Sequence, residues 1–151
     1  MTVKSVAVLG AGSWGSALAH VLAENGHDVH LWTRNEALVQ EIHTNSSNER
    51  YLPGAPLNKN IQASTDIVNT ITGTQFVVSA CPSHAVREVL ETARPHLDKQ
   101  TLISTSKGIE ITSDLRMTEV IAEVLDTPNN FQTALFWGGF FINQFSLLGS
   151  I

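Results

Sequence analysis

The sequence is poor in cysteine and in basic residues. Cys81 is the one cysteine among 151 residues, so no internal disulfide bond can form. This excludes a disulfide-stapled extracellular domain and predicts a small buried thiol in a reducing compartment. Lysine and arginine number 9 against 14 aspartate and glutamate residues, which gives a formal net charge of −5. The chain therefore lacks the basic surface by which proteins bind nucleic acid.

The sequence also lacks a hydrophobic run of membrane-spanning length. The apolar stretch Ser5–Leu9 has five residues, too few for the core of a signal peptide. Positions 127–151 carry no charged residue and hold five of the six phenylalanines, but Gln132, Asn143 and Gln144 interrupt them. Because a transmembrane helix needs about 20 apolar residues in succession, we predict a cytoplasmic protein with no membrane span.

What the sequence does contain is a regular alternation of short apolar runs and amphipathic segments. We predict strands at 5–9, 28–33, 61–64, 75–80, 101–105 and 133–137, and helices at 13–25, 36–43, 65–72, 82–94 and 115–125. Such alternation is typical of α/β proteins, with parallel strands and helices on both faces of the sheet. With 151 residues, of which 42% are hydrophobic, the chain has the size of one such domain.

Side-chain patterns predict some local details of these elements. Asn35 and Thr65 each precede a predicted helix and are expected to cap it. A polar segment rich in proline and glycine predicts a long loop at 44–60, and such loops are often functional. In the helix at 13–25 we expect an apolar inward face, formed by Ala17, Leu18, Val21 and Leu22.

The first strand is followed directly by the glycine motif G-x-G-x-x-G, at Gly10, Gly12 and Gly15. A strand before it and a helix after it are the context in which this motif binds the pyrophosphate of a dinucleotide. Gly10 allows the tight turn, Gly12 lets the main chain approach the pyrophosphate, and Gly15 lets helix and strand pack closely. The N–H groups of Ser13 and Trp14 would then bind phosphate oxygens. These features predict a doubly wound Rossmann fold with a mostly parallel sheet.

The end of the second strand bears on which nicotinamide cofactor binds. NAD-selective domains place an acidic residue there, which bonds the ribose 2′-hydroxyl. This sequence has Arg34 instead, and the nearest acid, Glu36, falls inside the next predicted helix. Since a guanidinium suits a 2′-phosphate, NADP(H) is favoured and NAD(H) remains an alternative.

Five stretches of the chain, taken in order, are typical of one enzyme family. They are AVLGAGSWGSALA, NGHDVHLWTRN, RYLPGAPL, CPSHAVREVL and STSKGIE, and the likeness covers about Val6 to Leu125. On these motifs the chain resembles the bacterial-type NAD(P)-dependent glycerol-3-phosphate dehydrogenases. The resemblance implies an oxidoreductase that interconverts dihydroxyacetone phosphate and glycerol 3-phosphate by hydride transfer, in glycerophospholipid biosynthesis.

The resemblance also implies roles for particular residues. Ser13, Trp14, Arg34 and Tyr51 would lie against the cofactor, and Lys107 would contact both cofactor and substrate. The position of Lys107 agrees, since it follows a predicted strand at the carboxyl edge, where open α/β sheets bind their ligands. No metal site is predicted, because the histidines at 27 and 30 have no third ligand nearby in the sequence.

The chain departs from the family near its carboxyl-terminal end. The family's sixth strand is followed by a Ser-Gly-Pro-Ser/Thr-Phe-Ala segment that contacts substrate phosphate and cofactor, whereas residues 137–142 read Trp-Gly-Gly-Phe-Phe-Ile. Gly138 matches and is a candidate substrate contact, but Phe140 takes the hydroxyl position and cannot bind a phosphate. We therefore set the Rossmann domain at 1–136 and a divergent tail at 137–151, which a shifted reading frame or an early stop would explain.

The sequence given also ends before the family's helical second domain, which carries its catalytic lysine and the arginine that binds substrate phosphate. We therefore expect no catalytic residue in this chain, weak cofactor binding and no turnover. The apolar tail is expected to favour self-association into homo-oligomers. Two alternatives remain open. One is a non-catalytic dinucleotide-binding module. The other is a Rossmann dehydrogenase of the β-hydroxyacid or ketopantoate type, against which the Ser-Lys-Gly-Ile-Glu turn argues.

Overall fold

The computed structural model describes residues 2–126, 133–137 and 140–142, and it shows an open sheet with helices on both faces. The strands are β1 (Ser5–Leu9), β2 (Asp28–Trp32), β3 (Gln62–Ser64), β4 (Phe76–Ser79), β5 (Thr101–Ser104), β6 (Ile109–Glu110), β7 (Leu115–Arg116), β8 (Thr133–Trp137) and β9 (Phe140–Ile142). The helices are α1 (Ser13–Glu24), α2 (Glu36–Asn45), α3 (Ile67–Ile71), α4 (Ser83–Ala93) and α5 (Met117–Leu125), with a 3-10 turn at Arg94–His96. Every predicted strand and helix is present, with boundaries that differ by a few residues.

The strands of the main sheet lie in the order β3-β2-β1-β4-β5-β8-β9, and β6 pairs with β7 as a separate hairpin. Neighbouring strands from β3 to β8 are parallel, and β9 runs antiparallel to β8. Chain order reverses between β1 and β4, so the loops that leave these two strands diverge to opposite faces. The predicted doubly wound, mostly parallel Rossmann fold is confirmed, and this reversal is where such sheets bind ligands.

The two faces of the sheet carry separate hydrophobic cores because side chains alternate along each strand. Val6, Val8 and Leu31 point to the face covered by α1 and α2. Ala7 and Leu9 point to the other face, under α3, α4 and α5. Parallel strands that are buried on both sides are continuous apolar runs in the sequence, which is why their positions were predicted well.

The inward face predicted for α1 is only partly correct. Leu18 and Leu22 are partly buried and pack against the core beneath α1 and α2, but they do not form the most buried side of the helix. The helix buries its small residues, Gly15, Ser16, Ala19 and Ala23, whereas Val21 is 54% exposed. The reason is close packing at the start of the helix. A Cβ on Gly15 would overlap the main-chain carbonyl oxygen of Gly10, so α1 lies directly on the end of β1 and only small side chains fit beneath it.

Two other local predictions need correction, and one is confirmed. Asn35 caps α2 by accepting a hydrogen bond from the N–H of Leu38, as expected. Asp66, not Thr65, caps α3, since its carboxylate accepts from two N–H groups of the first turn. The last predicted helix begins at Met117, because the two residues before it pair with β6 in the hairpin.

The carboxyl-terminal end of the sheet includes residues that the sequence analysis set apart. Strand β8 extends the sheet beside β5, in the position predicted for the last strand. The backbone of β9 then pairs with β8, inside the segment proposed as a divergent tail. The boundary at residue 136 stays a prediction, as does the origin of the tail.

Cys81 follows β4 and is buried, with its thiol 3.1 Å from the carbonyl oxygen of Leu9, to which it donates. Burial raises the pKa of the Cys81 thiol to about 11, against a smaller opposing effect of the nearby Arg34 charge. A thiolate is costly in this environment, so the folded chain holds Cys81 protonated.

This burial predicts a pH dependence of stability. An unfolded thiol has a pKa of about 8.5, so above that pH the unfolded chain loses a proton that the folded chain retains. The free energy of unfolding should therefore fall by about 1 kcal/mol more in the native sequence than in Cys81→Ala between about pH 7.5 and pH 9.5. Urea denaturation at the two pH values measures this, and equal pH dependence in both proteins would contradict the buried, protonated thiol.

Candidate functional site

The glycine turn joins β1 to α1 at the carboxyl edge of the sheet, beside the point where strand order reverses. Gly10 has a φ of +113°, a conformation that glycine adopts without strain. Its N–H donates to the carbonyl oxygen of Trp32 at the end of β2, 3.0 Å away. An added Cβ at Gly10 would also press on the main chain of Ala80, at 2.9 Å from its oxygen. The turn is thus held between two neighbouring strands.

Gly12 differs from the other two glycines of the motif. It occupies the N-cap position of α1 with ordinary backbone angles, φ −73° and ψ −175°. An added Cβ at Gly12 would meet no protein atom within 4 Å. Neither backbone conformation nor protein packing therefore requires glycine at this position. The open space in front of it is what the approach of a ligand to the main chain needs.

The first turn of α1 presents main-chain donors to this space. The N–H groups of the first residues of a helix have no partner inside the helix. Ser13 and Trp14 both lie at the surface, with Trp14 53% exposed. The first turn carries no acidic side chain, so nothing of this helix neutralises the positive end of its dipole. An anion is the ligand that this arrangement suits.

Asn48 is a site residue that the sequence analysis missed. It belongs to the long loop after α2, yet it is fully buried. Its side-chain amide donates to the carbonyl oxygen of Ala11 at 3.0 Å and to the hydroxyl of Ser16 at 2.8 Å. Its own oxygen accepts from the N–H of Tyr51 at 3.2 Å. The loop is thereby fixed against the glycine turn.

Tyr51 follows in the same loop and is 38% exposed. The guanidinium carbon of Arg50 lies 5.2 Å from the centre of its ring. Through Asn48, the main chain of Tyr51 is tied to the glycine turn, so the structure brings these two predicted parts of the site together. No sequence pattern in the loop had indicated this link.

Arg34 follows β2 at the same edge of the sheet. Its guanidinium lies 5.8 Å from the centre of the Trp32 ring and forms an ion pair of 3.0 Å with Glu88 of α4. Both partners of this ion pair are more than half exposed. Surface ion pairs of this kind contribute little to stability, so an incoming phosphate can compete with Glu88 for the guanidinium.

Lys107 follows β5 in a turn that several hydrogen bonds anchor. Before it, the hydroxyl of Thr105 donates to the carbonyl oxygen of Ser79 at 3.0 Å, and that of Ser106 donates to the carbonyl oxygen of Cys81 at 2.6 Å. Lys107 itself is exposed. The turn therefore holds the main chain while the ammonium group remains open to solvent.

After Lys107, the chain is held by a charged cluster under the β6–β7 hairpin. Arg87 of α4 donates twice to the buried carboxylate of Glu110, at 2.9 and 2.8 Å, and also to Glu123 of α5. The hydrogen bonds from Arg87, and then one from Ser113, lower the pKa of Glu110 to about 2. Glu110 is therefore ionised at any ordinary pH, and the hairpin stays attached to both helices.

The strands set the spacing of the predicted site residues. Arg34 leaves β2, the glycine turn leaves β1 and Lys107 leaves β5, with β4 between the last two. Neighbouring strands are about 4.8 Å apart, so these three groups span about 15 Å along one edge of the sheet. The row suits an elongated anionic ligand. Gly138, predicted to contact substrate, lies outside the described residues.

A surface concavity of about 750 Å³ lies elsewhere, beside β2 and β3, and includes His27, His43 and Lys59 but none of the predicted site residues. In the parts of the chain that the structure describes, no three histidine, cysteine or acidic side chains cluster as a metal site. Over the same residues, no helix has the length and apolar character to cross a membrane.

Comparison with known proteins agrees with this geometry. The family model described as the N-terminus of NAD-dependent glycerol-3-phosphate dehydrogenase matches residues 5–139. The glycerol-3-phosphate dehydrogenase (NAD(P)+) of Bacillus velezensis is 44% identical over 124 residues, which are 82% of this chain and 36% of that protein. The enzyme of the same name from Anaeromyxobacter dehalogenans is 41% identical over 138 residues, 91% of this chain and 42% of the relative.

A solved structure gives the same result. The crystal structure of glycerol-3-phosphate dehydrogenase from Coxiella burnetii superposes with a TM-score of 0.76 at 34% identity, over 88% of this chain and 39% of that one. This chain thus spans about two fifths of the length of the relatives that it matches. The chain belongs to the NAD-dependent glycerol-3-phosphate dehydrogenase family, and it corresponds to the N-terminal part of its members.

Proposed function

We propose that this chain is the dinucleotide-binding part of a glycerol-3-phosphate dehydrogenase and that its glycine turn binds the pyrophosphate of NADP(H) or NAD(H). The observation that carries the proposal is the open space at Gly12. There an added side chain would meet no protein atom, at the N-terminus of a helix without acidic residues in its first turn. The family and its relatives support the same ligand class, since the relatives' names specify NAD(P)+.

The residues present fit such a cofactor. The N–H groups of Ser13 and Trp14 would bind its phosphate oxygens, Tyr51 would lie against it, and Arg34 would hold a ribose 2′-phosphate. We propose a preference for NADP(H) on the charge and planar shape of Arg34. When bound, the nicotinamide supplies a hydride for the reduction of a carbonyl group.

Lys107 is proposed to serve the substrate side of the site. Its ammonium group can bind the phosphate of dihydroxyacetone phosphate or glycerol 3-phosphate, or polarise the substrate carbonyl. Reduction of a ketone also needs a proton donor for the forming alkoxide and an anchor for the substrate phosphate. We assign neither group to a residue of this chain, and we propose that it does not turn over substrate by itself.

Calorimetric titration with NADPH and NADH in parallel tests the proposed function. We expect both cofactors to bind with micromolar or weaker affinity, and NADPH to bind more tightly. Absence of binding to either cofactor at millimolar concentration would reject the proposed function.

The open space at Gly12 makes a specific prediction. Gly12→Val should leave the fold intact, because the backbone angles and the surroundings accept a side chain. It should nevertheless abolish binding of NADPH and NADH, because the side chain would fill the place of the pyrophosphate. Circular dichroism measures the fold and calorimetry the binding. Gly15→Ala is the matched comparison and should destabilise the protein itself, while unchanged NADPH affinity in folded Gly12→Val would disprove the assignment.

The ion pair between Arg34 and Glu88 makes a second prediction. Arg34→Ala should weaken NADPH binding by about 10- to 100-fold and leave NADH binding nearly unchanged, since it removes a charge-assisted contact worth about 1.5–3 kcal/mol. Glu88→Gln should have the opposite effect and strengthen NADPH binding by roughly 2- to 5-fold, because it frees the guanidinium. Parallel titrations measure both variants, and equal losses for the two cofactors in Arg34→Ala would contradict the proposed preference.

A third prediction concerns Lys107. In a chimera that joins residues 1–126 of this chain to the remainder of the Bacillus velezensis relative, Lys107→Ala should lower turnover of dihydroxyacetone phosphate by about 100-fold. Cofactor affinity should change by only a few-fold. Lys59→Ala, an exposed lysine away from the row of site residues, is the control. Turnover that survives Lys107→Ala within a few-fold would show that Lys107 is an ordinary loop residue.

A further inference from the structure

Asn48 places an unusual set of hydrogen bonds behind the glycine turn. A polar side chain in a loop is ordinarily exposed, yet Asn48 has no solvent-accessible surface. Burial of an amide is tolerated only when its donors and acceptor are bonded, and here both donors and the acceptor have partners. The two donors point at Ala11 and Ser16, on the far side of the turn from the solvent.

The contact with Ala11 determines how the next peptide group is oriented. The carbonyl of Ala11 and the N–H of Gly12 belong to the same planar peptide unit, and in a trans peptide they point in opposite directions. The Ala11 oxygen accepts from the Asn48 amide at 3.0 Å and from the Ser16 hydroxyl at 3.3 Å, both inside the protein. The Gly12 N–H is consequently directed outward, into the open space that faces the start of α1.

The remaining bonds of Asn48 are local to the loop, and they show that its internal turn does not depend on the side-chain donors. The N–H of Leu52 donates to the main-chain oxygen of Asn48 at 2.7 Å, and the N–H of Tyr51 donates to its side-chain oxygen. Those contacts close the loop turn by themselves. The side-chain donors serve the glycine turn alone.

We propose that Asn48 is a positioning residue for phosphate binding. It holds the Ala11–Gly12 peptide so that the Gly12 N–H is presented to the pyrophosphate, and it couples that donor to the main chain of Tyr51. This inference rests on the proposed cofactor function of the glycine turn. The effect of Asn48 should extend to any ligand that contains a diphosphate group. The peptide that Asn48 orients would face the phosphates, not the base or the nicotinamide.

The test compares Asn48→Ala with Asn58→Ala in the full chain. Asn58 belongs to the same loop and bonds to Glu24 at the other end of α1, so it is a matched control. We expect Asn48→Ala to lower the affinities for ADP, NADH and NADPH by a similar factor of about 10. Asn58→Ala should leave all three affinities unchanged. Arg34→Ala, in contrast, should weaken the binding of NADPH and leave the binding of NADH nearly unchanged.

A spectroscopic readout distinguishes positioning from loss of structure. In the 15N NMR spectrum of the native chain, ADP should shift the amide resonance of Gly12. In Asn48→Ala, saturating ADP should shift that resonance much less, while the resonances of the sheet keep their positions. A folded Asn48→Ala chain with native ADP affinity and a native Gly12 shift would overturn the inference.

Two further outcomes also decide the matter. If Asn48→Ala does not fold, the native chain suffices, because the side-chain NH2 resonances of Asn48 should exchange slowly with solvent and should shift on addition of ADP. Resonances that do not respond to bound ADP would overturn the inference. If the native chain binds neither ADP nor a dinucleotide, the proposed function itself is wrong and the role of Asn48 falls with it.

Discussion

The close approach of α1 to the end of β1 is the constraint on which the rest of this structure depends. It is possible because Gly15 has no side chain to collide with the Gly10 carbonyl. As a consequence, the helix begins immediately above the sheet edge, and its unpaired N–H groups stand where chain order reverses. The same constraint explains why small residues line the buried side of α1 and why Val21 is left in contact with solvent.

Around this contact, the structure brings together three segments of the chain: the loop after α2, the segment after β5 and the end of β2. The loop after α2 is joined to the turn through Asn48, and the segment after β5 is joined to the end of β4 through Thr105 and Ser106. Arg34 lies at the end of β2, the strand whose last carbonyl receives the N–H of Gly10. Each predicted binding group is therefore carried by a main-chain segment that a hydrogen bond fixes to a neighbouring strand or to the turn.

The sequence predicted the parts of this arrangement that follow from local patterns. Buried parallel strands are continuous apolar runs, and the glycine motif has a fixed relation to the strand and helix around it, so both were found. The orientation of α1 was predicted less well. Hydrophobicity favours Val21 as a buried residue, whereas close packing places the small residues Ser16 and Ala19 on the most buried side of the helix. The capping role of Asp66 was missed because threonine is also a favoured cap and Thr65 stands directly before Asp66. Residues 115 and 116 were assigned to α5 because a strand of two residues is too short to show an alternating pattern in the sequence.

Asn48 shows why a candidate site cannot be completed from sequence motifs alone. In a loop rich in asparagine and serine, nothing in the sequence distinguishes a buried amide from an exposed one. The distinction comes from the fold, which places an asparagine against a carbonyl that has lost access to water and needs donors. The Gly10 peptide is fixed by its bond to Trp32, and the Ala11–Gly12 peptide is fixed by donors inside the protein. In this chain the carbonyl of Ala11, inside the glycine turn, accepts from two such donors, Asn48 and Ser16.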